Sequence, residues 1–188
     1  MRNFNFAEKS QLVALPQNLN SSRVTTASLF LSFRYETRNS FINPSRGVVI
    51  QGETEFAPRT ALSNVKFARL AASLQHYVML FEPKTVLALR LGVQSLLGDD
   101  LSVQVLLPLG VNSTLRGSPQ DRYVDKTVAL ANAEVRLPIV WRFGGIIGFD
   151  AGKVWSSLGK FDLNRWSVNP TLGLRFYMDT FVVRADIG

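Results

Sequence analysis

The sequence predicts an all-β protein, an antiparallel transmembrane β-barrel with about eight strands in this chain. Three observations carry that prediction. Apolar and polar residues alternate with a period of two along most of the 188 residues, where helical spacing would scatter the same residues. Several alternating runs are longer than the roughly 5–6 residues usual for strands of water-soluble proteins. The polar faces of these runs carry arginines and carboxylates in equal number, which fits a crowded polar lumen better than a lysine-rich solvent face. A β-sandwich also alternates, with its apolar face inside. The continuity of the apolar faces and the length of the runs favour the barrel, whose closed hydrogen bonding is what lipid tolerates.

Composition sets the outer limits. Cysteine is absent, which excludes a disulfide framework and a thiolate metal site. Hydrophobic residues make up 46% and charged residues 19%, so the composition is not that of a disordered chain. The longest apolar run without proline is residues 77–81, far short of the ~20 residues of a spanning helix. Residues 1–15 carry Arg2, Glu8 and Lys9 and no apolar segment, so no signal peptide is read there. The net charge of +7 and pI of about 10.1 would suit a nucleic-acid binder. Its location decides otherwise. Arg34, Arg69, Arg90, Arg136, Arg175 and Arg184 on the polar strand faces are matched by Glu36, Glu53, Glu55, Glu134, Asp150 and Asp186. The excess falls in turns and loops, with no basic stripe, so nucleic acid is not expected as a partner.

In chain order, residues 1–8 read as a partial strand and residues 9–22 as a loop. Residues 24–36 alternate cleanly, with Leu29, Leu31, Phe33 and Tyr35 against Ser28, Ser32, Arg34 and Glu36. Asn39, Asn43, Pro44 and Gly47 break the chain into a turn. Strands follow over residues 47–56 and 65–80, a tight return at 82–84, and a strand through Leu87, Leu89, Leu91 and Val93. Residues 98–126 read as one long irregular loop. Beyond it, Ala129 to Leu137 on odd positions oppose Asn132, Glu134 and Arg136. Ile147, Phe149, Ala151 and Trp155 oppose Gly148, Asp150 and Gly152. After a polar loop over 156–167, Leu172, Leu174 and Phe176 oppose Gly173 and Arg175, and Val183, Ala185 and Ile187 oppose Arg184 and Asp186. On the apolar faces the exceptions are Lys66 and Lys153.

Five short motifs, in order along the chain, resemble those of the bacterial surface antigen family of BamA/TamA-like outer-membrane barrels. The turn from Tyr35-Glu36-Thr37-Arg38-Asn39 to Pro44 and Gly47 resembles its "D-T-R-D…P-x-x-G" turn. Leu115-Arg116-Gly117-Ser118 resembles its "V/I-R-G-F/Y" loop. Glu134-Val135-Arg136-Leu137-Pro138 resembles its "E-x-R-x-P" strand. Phe149-Asp150-Ala151-Gly152 resembles its "F-x-D-x-G" strand, and Gly173-Leu174-Arg175 lies in a stretch similar to its "G-x-G-L-R" strand.

The resemblance implies a barrel in the bacterial outer membrane that assists insertion, assembly or translocation of other outer-membrane proteins. Outer-membrane lipids including lipopolysaccharide, client outer-membrane proteins, and periplasmic or lipoprotein accessory subunits would be its partners. It implies no cofactor and no metal. It implies that the loop arginine, Arg116, reaches into the lumen and meets Glu134 and Asp150. The chemistry agrees: a guanidinium fork bonds carboxylates bidentately, and Gly117 lets the tip bend where a side chain would obstruct. Gly148 and Gly152 flank Asp150 on the same face and are expected to leave room for that tip, with Phe149 facing outward between them. Thr37, Arg38, Pro44 and Gly47 would form a periplasmic turn.

The sequence also departs from the family. Ser118 stands where an aromatic is usual, so apolar anchorage of the tip is expected to be lost. POTRA domains are not seen, and the family pattern continues one strand further. The expectation is therefore a barrel domain over residues 1–188 that is incomplete at both ends and part of a barrel of about sixteen strands. The rival is a compact barrel of about eight, its narrow interior filled by side chains. The functional rival is a small passive barrel, a channel or a structural, lipid-contacting element, without client activity. Enzyme function is not expected. His76 is the lone histidine, on an apolar face, and Glu134 and Asp150 paired with Arg116 would be held ionised, which does not suit acid catalysis. Trp141, Trp155 and Trp166 fall near strand ends, where an aromatic girdle and ordinary packing both remain open.

Overall fold

The computed structural model describes residues 25–63, 65–81, 85–98, 101, 105–110, 114–119 and 122–188. The partial strand expected over 1–8, the loop over 9–22 and the tight return at 82–84 lie outside them. Among the described residues there are ten strands: β1 (Leu29–Glu36), β2 (Gly47–Ala57), β3 (Phe67–Phe81), β4 (Thr85–Leu97), β5 (Leu107–Leu109), β6 (Tyr123–Asp125), β7 (Thr127–Val140), β8 (Phe143–Trp155), β9 (Ser167–Tyr177) and β10 (Val182–Ile187). Eight of them form one antiparallel sheet in the order β1-β2-β3-β4-β7-β8-β9-β10. β5 and β6 pair separately, within the long loop. The meander is the expected barrel wall. β1 and β10 are its two edges and are not paired with each other.

Short connections gather at one end of the sheet, at residues 141–142 and 178–181, and long ones at the other, at 98–126 and 156–166. Residues of β3, β4, β7, β8, β9 and β10 line one common cavity, so the sheet is curved with its polar face inward. The outward row follows from the two-residue period: Leu74, Leu91, Ile147, Phe149, Leu172 and Leu174 are all exposed. Without a lipid environment these side chains would form an apolar surface far larger than a soluble monomer carries.

Two strands start earlier than the alternation traced from Ile147 and from Leu172. β8 starts at Phe143, because Gly144 and Gly145 stay in register with Pro138 and Leu137 of β7. Pro138 lies past Arg136, the last β7 residue paired with β4, and beside a bulge between Pro138 and Val140, where proline is tolerated. β9 starts at Ser167, not 172, and its Pro170 lies beyond the point where β10 has ended.

The lumen is not uniformly polar, contrary to expectation. At the long-loop end the inward positions Ala57, Phe67, Leu96 and Val128 are apolar and pack with Leu101, Val105, Leu107, Leu109 and Leu115 of the long loop into one buried cluster. The loop that reads as irregular therefore contains a small hairpin and a core of its own. Alternation missed this, because a hydrophobe on an inward position near a strand end looks like an imperfection of the pattern.

The outer-face exception Lys153 also finds its explanation. Its Nζ donates to Asp162 Oδ1 at 2.5 Å and to the Asn164 carbonyl at 2.6 Å, both from the 156–166 loop. Trp155 donates to Asp162 Oδ2 at 3.2 Å, and its ring packs tilted against Phe161 and edge-on against Trp166, with centroids at 4.7 and 5.8 Å. Trp155 is thus packed under a loop rather than facing lipid. At the opposite end Trp141 is 80% exposed beside Phe176, in the position a girdle residue would take.

Candidate functional site

Three neighbouring strands set a row of polar residues at one height. The register pairs Asn132 of β7 with Asp150 of β8, and Asp150 with Asn169 of β9. All three sit on inward positions, and the long loop descends onto them. Leu115, fully buried, joins the apolar cluster above and holds the tip in place. Arg116 follows it directly and points its guanidinium along the wall.

Arg116 meets Asp150 through both backbone and side chain. Its amide donates to Asp150 Oδ2 at 3.1 Å, its Nε to the same oxygen at 2.7 Å, and its Nη2 to Oδ1 at 2.8 Å. Nη1 donates to Glu134 Oε2 at 3.1 Å and lies 3.8 Å from Asp186 Oδ2. Asp150 is 0% exposed and Arg116 7%. A fork of this kind satisfies both oxygens of a carboxylate at once. The hydrogen bond to Asp150, reinforced by the charges of Asp150 and Glu134, raises the arginine's pKa above its ordinary value against the opposing effect of burial, so the group stays cationic.

A second layer of partners fixes these groups. Asn132 Nδ2 donates to Asp150 Oδ1 at 2.8 Å and to the Thr114 carbonyl at 3.0 Å. Asn169 Nδ2 donates to the Arg116 carbonyl at 2.7 Å and to Ser118 Oγ at 3.0 Å. Arg136 donates to Glu134 Oε1 at 2.8 Å through Nε. Arg175 bonds Asp186 with both Nη atoms. Gly173 has no side chain to block that carboxylate; a Cβ there would collide with Asp186 Oδ1.

The sequence-derived site residues are distributed as follows. Leu115, Arg116, Gly117 and Ser118 form the docked tip, and Glu134 and Asp150 receive Arg116. Gly117 has φ +78°, a conformation that favours glycine. Gly152 leaves room for the loop, since a Cβ there would sit 2.8 Å from Leu109 Cδ2. Gly148 needs correction: a Cβ on it would meet Ala133 O and the Glu134 backbone, so it admits the neighbouring strand rather than the loop tip. Phe149 is 58% exposed on the outer face. Ser118 lacks an aromatic's anchorage but accepts from Asn169, and Leu115 provides the apolar anchor. Asn132, Asn169 and Asp186 were missed as members. Asn132 lies two residues before Glu134 on the same face and could have been found that way. Asn169 falls between the loop read over 156–167 and Leu172, the first residue traced in the strand that follows.

The turn motif sits at the short-turn end. Thr37 Oγ1 accepts from the Val48 amide at 3.0 Å, and Asn39 Oδ1 accepts from the Ser45 and Arg46 amides at 3.0 and 3.1 Å. Pro44 is buried. Gly47 has φ +111°, and a Cβ there would lie 2.7 Å from the Arg38 Cα. Arg38 pairs with Glu36 and lies over the rings of Phe41 and Tyr77.

Among curated proteins, no relative matches the sequence. Among solved structures, the fold is similar to that of BamA from Haemophilus ducreyi lacking POTRA domains 1-3, with a TM-score of 0.70 and 14% sequence identity over 85% of this chain. The chain spans 38% of the length of that BamA chain. The Omp85 superfamily domain matches residues 2–176, and with the motifs, the barrel wall and the docked loop in place, the chain belongs to the Omp85 superfamily.

Proposed function

We propose that this chain is barrel wall of a bacterial outer-membrane protein that assists insertion or translocation of other outer-membrane proteins. The docked loop acts as an internal brace of that wall. The observation that carries the reading is the buried contact of Arg116 with Asp150 and Glu134, which ties a loop to two strands across the lumen. Membership of the superfamily and the likeness of the fold support it. A brace fits a wall that must hold its curvature while a client engages it, since the fork resists sliding of β7 against β8.

Client outer-membrane proteins and the surrounding lipids, lipopolysaccharide included, are the partners this reading requires, with accessory subunits on the periplasmic side. No enzymatic role is assigned: Arg116 and Arg136 neutralise the carboxylates that would otherwise be the candidate acid and base. The test is reconstitution of the purified protein in liposomes with an unfolded outer-membrane client. Faster client assembly than in empty liposomes, lost in Arg116→Ala, is expected. Steady ion conductance with no effect on client assembly would replace this reading with the passive barrel.

A further inference from the structure

Below the docked tip, toward the short-turn end, the curved sheet encloses a cavity of about 340 Å3. Thr114 and Arg116 form its roof, and Ile42 of the first turn reaches its mouth. Its charge is unbalanced. Arg90, Arg116, Arg136, Arg175 and Arg184 line it, against Glu134 and Asp150; Asp186 is engaged by Arg175 beside it.

The arginines differ in what they have left to give. Arg116 and Arg175 are bound to carboxylates. Arg136 directs Nε and Nη2 to one oxygen of Glu134, which leaves further donors on a group that carries five N–H bonds. The Arg184 side chain makes no hydrogen bond or ion pair with any described residue. Its cross-strand neighbour in the β9–β10 register is Arg175, and like charges directly opposite one another are destabilising. An anion placed against both would reverse the sign of that contact. The guanidinium of Arg136 is also held in place by the Tyr77 ring, 5.3 Å from its centroid.

We propose that this cavity is an oxyanion site that takes a small phosphate group, entering from the short-turn end and held by Arg136 and Arg184. Guanidinium forks match the geometry of phosphate oxygens better than a point charge does, and a low-dielectric wall concentrates the field of the excess positive charge. Free phosphate and the phosphate of a lipid headgroup share this chemistry. The inference does not depend on client activity.

The experiment uses the purified protein in maltoside micelles, which carry no phosphate. Inorganic phosphate is titrated at ionic strength held constant with sodium chloride, and unfolding temperature and binding heat are followed. A saturable response that Arg184→Gln weakens roughly tenfold or more is expected, as for loss of one charged hydrogen bond. Arg184 is exposed, so the variant should fold. Arg59→Gln, an exposed loop control outside the cavity lining, should respond as the wild type. If free phosphate is silent while phosphatidylglycerol, but not diacylglycerol, stabilises the wild type and not Arg184→Gln, the site stands and its ligand is a headgroup. If neither ligand acts, or Arg184→Gln responds as the wild type, the proposal is overturned.

Discussion

The two halves of the lumen hold the same loop by different means. Toward the long-loop end, Leu107, Leu109 and Leu115 bury themselves against Phe67, Leu96 and Val128. One residue further along the chain, Arg116 enters a region where charged and amide groups take over. The apolar half is tolerant in direction, because hydrophobic burial depends on area rather than angle. The ionic half is directional, because a guanidinium fork satisfies a carboxylate in few orientations. The apolar half thus brings the loop in, and the ionic half decides where its tip stops. Neither could do both: a wholly apolar contact would let the tip slide, and a wholly ionic one would not offset the desolvation of three charges.

The largest expected effect comes from breaking the ionic half. Arg116→Ala leaves Asp150 buried without its counter-charge and should cost about 3–5 kcal/mol, read as a shift in the denaturant midpoint in micelles. Adding Asp150→Asn to that variant should recover part of the loss, and no recovery would contradict the pairing. Next comes the apolar half. Leu115→Ala should cost about 3 kcal/mol with no recovery from Asp150→Asn, which separates the two contributions. Smaller again is the joint between them. Gly117→Ala places a side chain at φ +78°, a cost of about 1–2 kcal/mol, visible as faster proteolysis of the loop with the wall intact.

The smallest effect concerns a third contact, outside the lumen. The Lys153 hydrogen bond, helped by the Asn164 amide and Trp155, holds the Asp162 carboxyl below its ordinary range. A depressed folded value means the contribution is present above the unfolded pKa, near 4 for an aspartate, and is lost as pH falls through the folded value. Acidification below about pH 4 should therefore release the 156–166 loop and change the emission of Trp155 and Trp166. An unchanged spectrum in that window, or the same change in Asp162→Asn, would count against the contact.

Several features were legible because they depend on local pattern. The eight wall strands follow from alternation, and short returns place β7 beside β8 and β9 beside β10, whereas the pairing of β4 with β7 across the long loop is a tertiary outcome. Arg116, Glu134 and Asp150 could be grouped by motif before any geometry was known. What escaped notice depended on residues distant in sequence meeting in space. Asp186 reaches the site because β10 lies beside β9 and Gly173 clears its path. Trp155 lies on the apolar face, where girdle and packing both stay open, and the return of Phe161 and Trp166 over it decides for packing. Gly148 reads as room for the loop, whereas it is β7 that approaches it.

By itself, the sequence determined which face of each strand is apolar and where the chain turns back. Side chains on a strand must alternate, and that constraint is written residue by residue. Tertiary structure alone decided that the lumen has an apolar end, that Asn132 and Asn169 fasten the loop tip, and that Arg184 stands beside Arg175 on the wall of one cavity. Those outcomes depend on register and curvature, which are set by the whole sheet at once and leave no local signature in the order of the residues.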